Sequence, residues 1–521
     1  MFDYSRLSAT QAATLFGAGS FSVPVILQRV RAPTLLWMNR QAMALDPAWQ
    51  HCGGDVAAYE RHLVQACAYA VADADDANAA ADQVVGHADR YGGKGIGNNG
   101  GSGRAALVNG YLLKGVGRTA LVAETVDIGH GSGGAFLEEA IRESIYSEIL
   151  RKEFPHGAVP ILAIIDIGKT MTFTEHERVI IEKQVLVVRP ALLRPAHFVR
   201  AAGFLHRDAR ENARDHARVR HMFGQLAGPG LRADFHAFFV AWIEQIAYSF
   251  AHRMPHGSNT ISNICLDGAL LDFGATSAVP SWARVDTMLS SQSFAALHDA
   301  IADSVMAMRY TLGRHLDETY RDASGVQELV VRLQNHFKKS TAIEILRVLG
   351  LDRPTAQRLF DGVDAPLVWK TIFDVIAYFQ EEYLDHVLVC PDHRLPWDVG
   401  AIWSRNVPHH LRPLRRLLNE KTSPAERKLA ALACRWKAAS RPALYREDLK
   451  KRLFAALAGF GAQPTRRQVE GLIATLVAEN RRDTRLDKAG CYAAGVAYGA
   501  DATFAVFHSP DGSDVHLVRE P

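Results

Sequence analysis

The apolar positions of this chain change period along its length, and the changes mark out its elements. Residues 1–84 read as an alanine-rich helical arm, since Ala57 to Ala81 runs without glycine or proline. The segment Ala105-Ala-Leu-Val-Asn109-Gly110-Tyr-Leu-Leu-Lys114 is two short apolar runs around Asn-Gly, the strongest short signal for a hairpin, so Lys114 is expected on a strand. From Ala135 to about Phe154 a helix is expected, with one stripe at Leu137, Ile141, Ile145 and Ile149. A second face holds Phe136, Ala140, Glu143, Ser147 and Leu150. Glu143 thus sits among small and apolar neighbours, where a carboxylate needs a cation. Pro160 to Ile167 and Lys183 to Arg189 are aliphatic and β-branched, as strands are.

From about Pro195 to Ser440 the pattern is mainly helical, with one interruption at 255–274: a polar loop, an Asp267-Gly268 turn, and Asp272-Phe-Gly at the exit. The last 80 or so residues look appended. Glu447 to Ala458 reads as a helix, Thr465-Arg-Arg-Gln468 as a capping box for the next, and Thr503 to His508 with Asp514 to Arg519 as a terminal hairpin.

Composition narrows the class. A length of 521 residues suits two to four domain-sized units, and 48% hydrophobic content is that of a globular protein with real cores. A formal net charge of +3, from 59 basic and 56 acidic residues, gives no global field towards nucleic acid or a membrane surface. The six cysteines are scattered without a Cys-x-x-Cys pair, and the N-terminus lacks a basic-then-apolar signal. A cytoplasmic protein with reduced thiols is the expectation. The most apolar helix candidate, Phe235 to Phe250, contains Glu244 and Gln245 and reads as a core helix, so no membrane partner is expected.

The candidate chemistry starts at the glycine-dense run from Gly92 to Arg104. Glycines let backbone N–H groups close on phosphates, a strand lysine adds positive charge, and a helical glutamate holds that lysine. Gly101, Gly103, Arg104, Lys114 and Glu143 follow in that order, and much later come Asn263 and Asp272-Phe-Gly. Protein kinases use such parts, with Asn and Asp on Mg²⁺. There is no His-Arg-Asp catalytic loop before Asn263.

These motifs resemble the SelO protein adenylyltransferases, kinase-like proteins that transfer AMP from ATP. The resemblance spans roughly Gly92 to Ala275. Gly-Gly-Ser-Gly-Arg-Ala is similar to the family's Leu-Gly-Asp-Gly-Arg-Ala, which implies nucleotide-binding roles for Gly101, Gly103 and Arg104. Leu-Lys-Gly-Val-Gly-Arg-Thr resembles its Leu-Lys-Gly-Ala-Gly-x-Thr, making Lys114 the phosphate lysine. Ser132-Gly-Gly-Ala with Ala-Ile-Arg-Glu implies Gly133 in the site and Glu143 as the partner of Lys114. Arg189 and Arg194 resemble the two phosphate arginines, and Asn263 and Asp272 the metal ligands, for ATP with Mg²⁺ or Mn²⁺.

The departures fall on acceptor chemistry. The family's catalytic aspartate is Ser262 here, and the aspartates of both glycine motifs are Ser102 and Ser132. A hydroxyl acceptor benefits from a carboxylate that takes its proton, whereas an acceptor that is already ionised does not. The implied acceptor is therefore a protein or peptide carboxylate, as in the MchC branch of microcin maturation, which this chain resembles. Two alternatives stay open: γ-phosphoryl transfer, and ATP binding without catalysis in support of a partner enzyme, with the C-terminal extension as the place to dock it.

The expected fold is α+β and protein-kinase-like with two lobes. Its parts are a helical arm at 1–84, a β-rich nucleotide-binding lobe at 85–200, a helical lobe with the metal-binding loop at 201–440, and a helical and hairpin extension at 441–521.

Overall fold

The computed structural model of the protein describes residues 15, 21–72, 82–92, 99–124, 126, 131–175, 178–204, 209–226, 229–278, 285–286, 291–292, 299–361, 364–387, 399–434, 441–480, 493–498, 503–508 and 515–519. Within these the chain is mixed α+β, built on a nine-stranded antiparallel sheet. The strands are β1 (Ser22–Arg29), β2 (Thr34–Met38), β3 (Tyr69–Val71), β4 (Gln83–Asp89), β5 (Ala105–Val108), β6 (Tyr111–Lys114), β7 (Ala135–Phe136), β8 (Ala163–Glu175) and β9 (Arg178–Pro190). They run β2-β8-β9-β6-β5-β4-β1-β3, with β7 paired to β9.

The Asn-Gly signal forms as expected. Val108 pairs with Tyr111 across the turn, and Asn109 and Gly110 both take positive φ, 49° and 87°, which the right-handed twist of the flanking strands favours. β6 then pairs with β9 and brings Lys114 opposite Val187 in the middle of the sheet.

The helical arm is corrected. Residues 22–71 contribute three strands, and their helices are only α1 (Pro47–His51) and α2 (Val56–Cys67). In β1, Val25 and Leu27 point inward while the intervening Ile26 is 52% exposed, so the alternation is invisible in an apolar-polar reading. After Cys67 the alanine-rich run turns into β3, whose pairing with Leu27 to Arg29 outweighs the helical preference of alanine. Residues 73–81 of that run lie outside the described residues.

Alternation on the central strands divides the core in two. Leu107, Leu112, Val185 and Val187 face α3 (Leu137–Glu153). Val108, Leu113, Leu186 and Val188 face Tyr59, Leu63 and Cys67 of α2. The helical part follows as α4 (Ala209–Leu226), α5 (Pro229–His252), α6 (Asp299–His315), α7 (Ala323–Val348), α8 (Arg353–Arg358), α9 (Ala365–Val387), α10 (Arg412–Lys421) and α11 (Pro424–Ala433). Phe235 to Phe250 lies within α5 and is core, with Trp242 fully buried. Among the described residues no helix is long and apolar enough to cross a membrane.

The C-terminal segment is integrated rather than appended. Helices α12 (Arg446–Phe460) and α13 (Arg466–Asn480) pack against α3. The Gln468 side chain accepts from the Thr465 N–H at 2.8 Å, and Thr465 Oγ1 accepts from the Gln468 N–H at 3.4 Å, the two bonds of the expected capping box. Arg441 pairs with the buried Glu153 at 2.6 Å, and Tyr146 donates to the Leu444 carbonyl at 2.8 Å. The terminal hairpin exists as β11 (Thr503–His508) with β12 (Val515–Arg519), extended by β10 (Ala493–Tyr498) into three strands.

Candidate functional site

A cleft of about 300 Å³ opens between the β5–β6 region and the 258–275 segment. Of the residues expected to bind nucleotide or metal, Gly101, Gly103, Arg104, Lys114, Arg189, Arg194, Asn263 and Asp272 all line it, as does Ser262. Residues as far apart in sequence as Tyr91 and Ala275 therefore meet on one surface.

Lys114 is the hub. Its Nζ donates to Glu143 Oε1 at 2.7 Å, Glu139 Oε1 at 2.9 Å and Asp272 Oδ1 at 2.9 Å. Strand β6 aims the lysine at α3, where Glu139 and Glu143 stand one turn apart on the same face. Glu143 is fully enclosed, and its second oxygen takes the Arg189 guanidinium. It lies beneath the cleft floor rather than lining it, bracing two cations from behind.

Arg104 forms a two-pronged pair with Glu139, at 2.8 and 3.1 Å, and also donates to the Gly134 carbonyl at 3.0 Å. Arg189 and Arg194 are 3% and 6% exposed, and each has a buried Nε with no hydrogen-bond partner. Arg194 gives Nη1 to the Ser262 carbonyl at 2.9 Å and lies over the Tyr91 ring, 4.8 Å from its centroid. Among the described residues Arg194 forms no ion pair. Such guanidinium groups are short of acceptors, which is what an anion supplies.

The site's charges reshape each other's protonation. Burial favours the neutral Glu139 carboxyl, but Arg104 and Lys114 outweigh it and hold that group well below the usual carboxylate range. Asp272 is likewise held low, with Lys114 and Arg189 overcoming burial. For Glu143 burial wins and raises the carboxyl. Lys114 is raised, since three carboxylates overcome burial and the repulsion of Arg104.

The metal expectation can be tested against the donors. Oxygens of Glu139, Glu143 and Asp272 lie within 4.8 Å of one another, and hard carboxylate and amide oxygens suit Mg²⁺ or Mn²⁺. Asp272 takes a left-handed conformation, φ 63° and ψ 78°, and keeps 40% of its side chain open to the cleft. The Asn263 carbonyl accepts from the Leu271 N–H at 3.0 Å, which puts the asparagine beside Asp272. Its amide NH₂ is held by Ser258 at 3.0 Å. The donor types suit a hard divalent ion, while the three carboxylates themselves face Lys114 Nζ.

Two expectations change. Gly133 does not line the cleft; it packs on the Gly117–Arg118 turn, where its carbonyl accepts from Gly117 N at 3.1 Å. A Cβ there would lie 2.1 Å from Arg118 N, so its glycine serves the turn. Among the described residues Ser262 Oγ meets only the Thr260 hydroxyl, at 2.8 Å, and the only carboxylates lining the cleft are Glu139 and Asp272. The first part of the glycine run, residues 93–98, lies outside the described residues.

Sequence reasoning missed Glu139, Tyr91, Asp89 and His197. Glu139 was within reach, because it precedes Glu143 by one helical turn and so shares its face. Asp89 and His197 carried no local signal. No family model matches this chain, and no curated protein matches it.

Proposed function

We propose that the chain is a kinase-like, SelO-like nucleotidyltransferase that moves AMP from ATP to a carboxylate of a protein or peptide acceptor. The reading rests on one observation: Lys114 joins Glu143 of α3 to Asp272 at a cleft flanked by two buried arginines with unpaired Nε groups. Arg104, Lys114, Arg189 and Arg194 neutralise the triphosphate, and Glu143 orients Lys114 and Arg189 together. Asp272 and Asn263 would hold Mg²⁺, which supplies charge neutralisation on the phosphates when bound. The acceptor oxygen forms a bond to the α-phosphorus as the bond to pyrophosphate breaks. No proton has to be removed from an ionised carboxylate, which suits a cleft whose two carboxylates both face Lys114.

ATP labelled at the α- or the γ-phosphate tests this. Label on the acceptor from the α position, with pyrophosphate released, is expected; label only from the γ position would make the chain a phosphotransferase. A second reading, ATP binding without transfer, is favoured by the hydroxyl at Ser262. It predicts nucleotide-dependent stabilisation with no pyrophosphate formed under any acceptor.

A further inference from the structure

Asp89 sits outside the cleft lining, at the end of β4, and is 4% exposed. One carboxylate oxygen accepts from the Ser102 hydroxyl and the other from His197 Nε2 at 2.8 Å, while its backbone carbonyl accepts from Ser102 N at 2.9 Å. Gly101 must be glycine for this approach, since a Cβ there would lie 2.2 Å from the Asp89 carbonyl oxygen. One side of Asp89 thus fixes the Gly101–Gly103 turn.

The other side fixes Arg194. The backbone N–H of Arg194 donates to His197 Nδ1 at 3.0 Å, so that nitrogen must be the acceptor and Nε2 must carry the hydrogen. Burial lowers His197 and favours this neutral form. The hydrogen on Nε2 is satisfied by Asp89, and the Tyr91 ring, edge-on to His197 at 5.9 Å, lies under the Arg194 guanidinium. Burial works against the charge of Asp89, yet His197 and Arg194 hold its carboxyl below the usual range.

We propose that Asp89 is a positioning residue for the polyphosphate: through Ser102 it sets the glycine turn, and through the His197 tautomer it sets Arg194. The proposal rests on the reading of the cleft as a nucleotide site. It assigns the anchoring of the glycine turn and of Arg194 to one buried carboxylate 108 residues away from the histidine it orients.

A double-mutant cycle on the full chain tests it, with ATP–Mg²⁺ affinity read by calorimetry. Asp89→Ala is expected to weaken ATP by about tenfold in the wild-type background and by only about threefold in Arg194→Ala, the remainder being the Ser102 arm, because coupled residues are not additive. Asp89→Asn, whose amide oxygen can still accept from His197, is expected to recover most of the loss. Equal weakening in both backgrounds, or none, would overturn the positioning role while leaving the ATP site standing. Absence of any ATP binding by the wild type would overturn the site and this role together. If Asp89→Ala does not fold, His197→Phe breaks the same link with the ring volume kept, and it must give the same non-additivity with Arg194→Ala.

Discussion

Helix α3 carries ionised groups near both of its ends, and the two ends handle them in opposite ways. Towards the cleft, Glu139 and Glu143 share Lys114, Arg104 and Arg189 in a network that also takes in Asp272, still 40% exposed. Towards the C-terminal segment, Glu153 and Arg441 form one sealed pair, 0% and 5% exposed. The sealed pair is closed off: Arg441 Nε also lacks a hydrogen-bond partner among the described residues, but neither Arg441 nor Glu153 lines the cleft. The open network gathers three carboxylates around one ammonium, and on the proposed reading an incoming phosphate would replace Asp272 on Lys114. Buried charge is costly in both places, but the cleft network opens to solvent at Asp272 and the other pair does not.

The largest effect expected from breaking this contrast is at Lys114. Lys114→Met leaves three carboxylates facing one another, and loss of one member of a buried charge network costs roughly 3–5 kcal/mol. The melting temperature should fall, and its rise with ATP–Mg²⁺ should vanish. The pH response gives a sharper check. In the wild type Glu139 and Asp272 are depressed, so their stabilisation is complete above the ordinary carboxylate range and is lost as pH falls through it. Without the lysine the carboxylates repel, their affinity for protons rises, and moving from about pH 7 to about pH 5 should raise the melting temperature relative to wild type. A parallel fall in both proteins would mean that Lys114 is not what holds the carboxylates charged.

The far end of α3 should behave differently. Arg441→Ala removes the cation paired with the buried Glu153 and is expected to cost about 3 kcal/mol in denaturant unfolding, yet the rise of melting temperature with ATP–Mg²⁺ should survive. Replacing both, as Glu153→Leu with Arg441→Met, should return stability to within about 1 kcal/mol of wild type, because a sealed ion pair exchanges well for apolar packing of similar volume. If the double variant loses the ATP response, the C-terminal segment acts on the cleft through α3 and the two ends are not independent.

Arg194→Ala should divide binding from stability. With no ion pair to break among the described residues, the folded chain should lose little, while ATP affinity should fall by about tenfold as a charge-assisted contact goes. A comparable loss of stability and affinity would place Arg194 with the scaffold instead.

How much of this was legible depended on distance along the chain. The Asn109-Gly110 turn and the Glu143 face of α3 are set by neighbours within a few residues, and both are where periodicity puts them. Glu139 could have been read from the same period, but a second carboxylate on one face is indistinguishable from a solvated charge until Arg104 and Lys114 arrive from the hairpin. β1 and β3 were unreadable for a physical reason: their inward positions are fixed by pairing with each other and with β4, not by a polar alternation of their own. α3 reads as amphipathic, yet Glu138, Ser144 and Glu148 are buried too, because α12 and α13 cover the side that would otherwise meet water. Long-range assembly, not local preference, decided those positions.

The smallest expected effect belongs to Ser262, and it bears most directly on the acceptor. The Arg194 guanidinium is held by the Ser262 carbonyl, not its hydroxyl, and among the described residues the hydroxyl meets only Thr260. Ser262→Ala therefore keeps the cation in place, and ATP affinity should stay within about twofold, as for loss of one half-buried neutral hydrogen bond. If the acceptor arrives as a carboxylate, AMP transfer should be equally unmoved, with no new dependence on pH. A loss of transfer by tenfold or more at unchanged ATP affinity, on the order expected for a group handling a proton, would mean that the hydroxyl serves the reacting oxygen. The acceptor would then be an alcohol, and the cleft would have replaced a missing carboxylate by a Thr260–Ser262 pair.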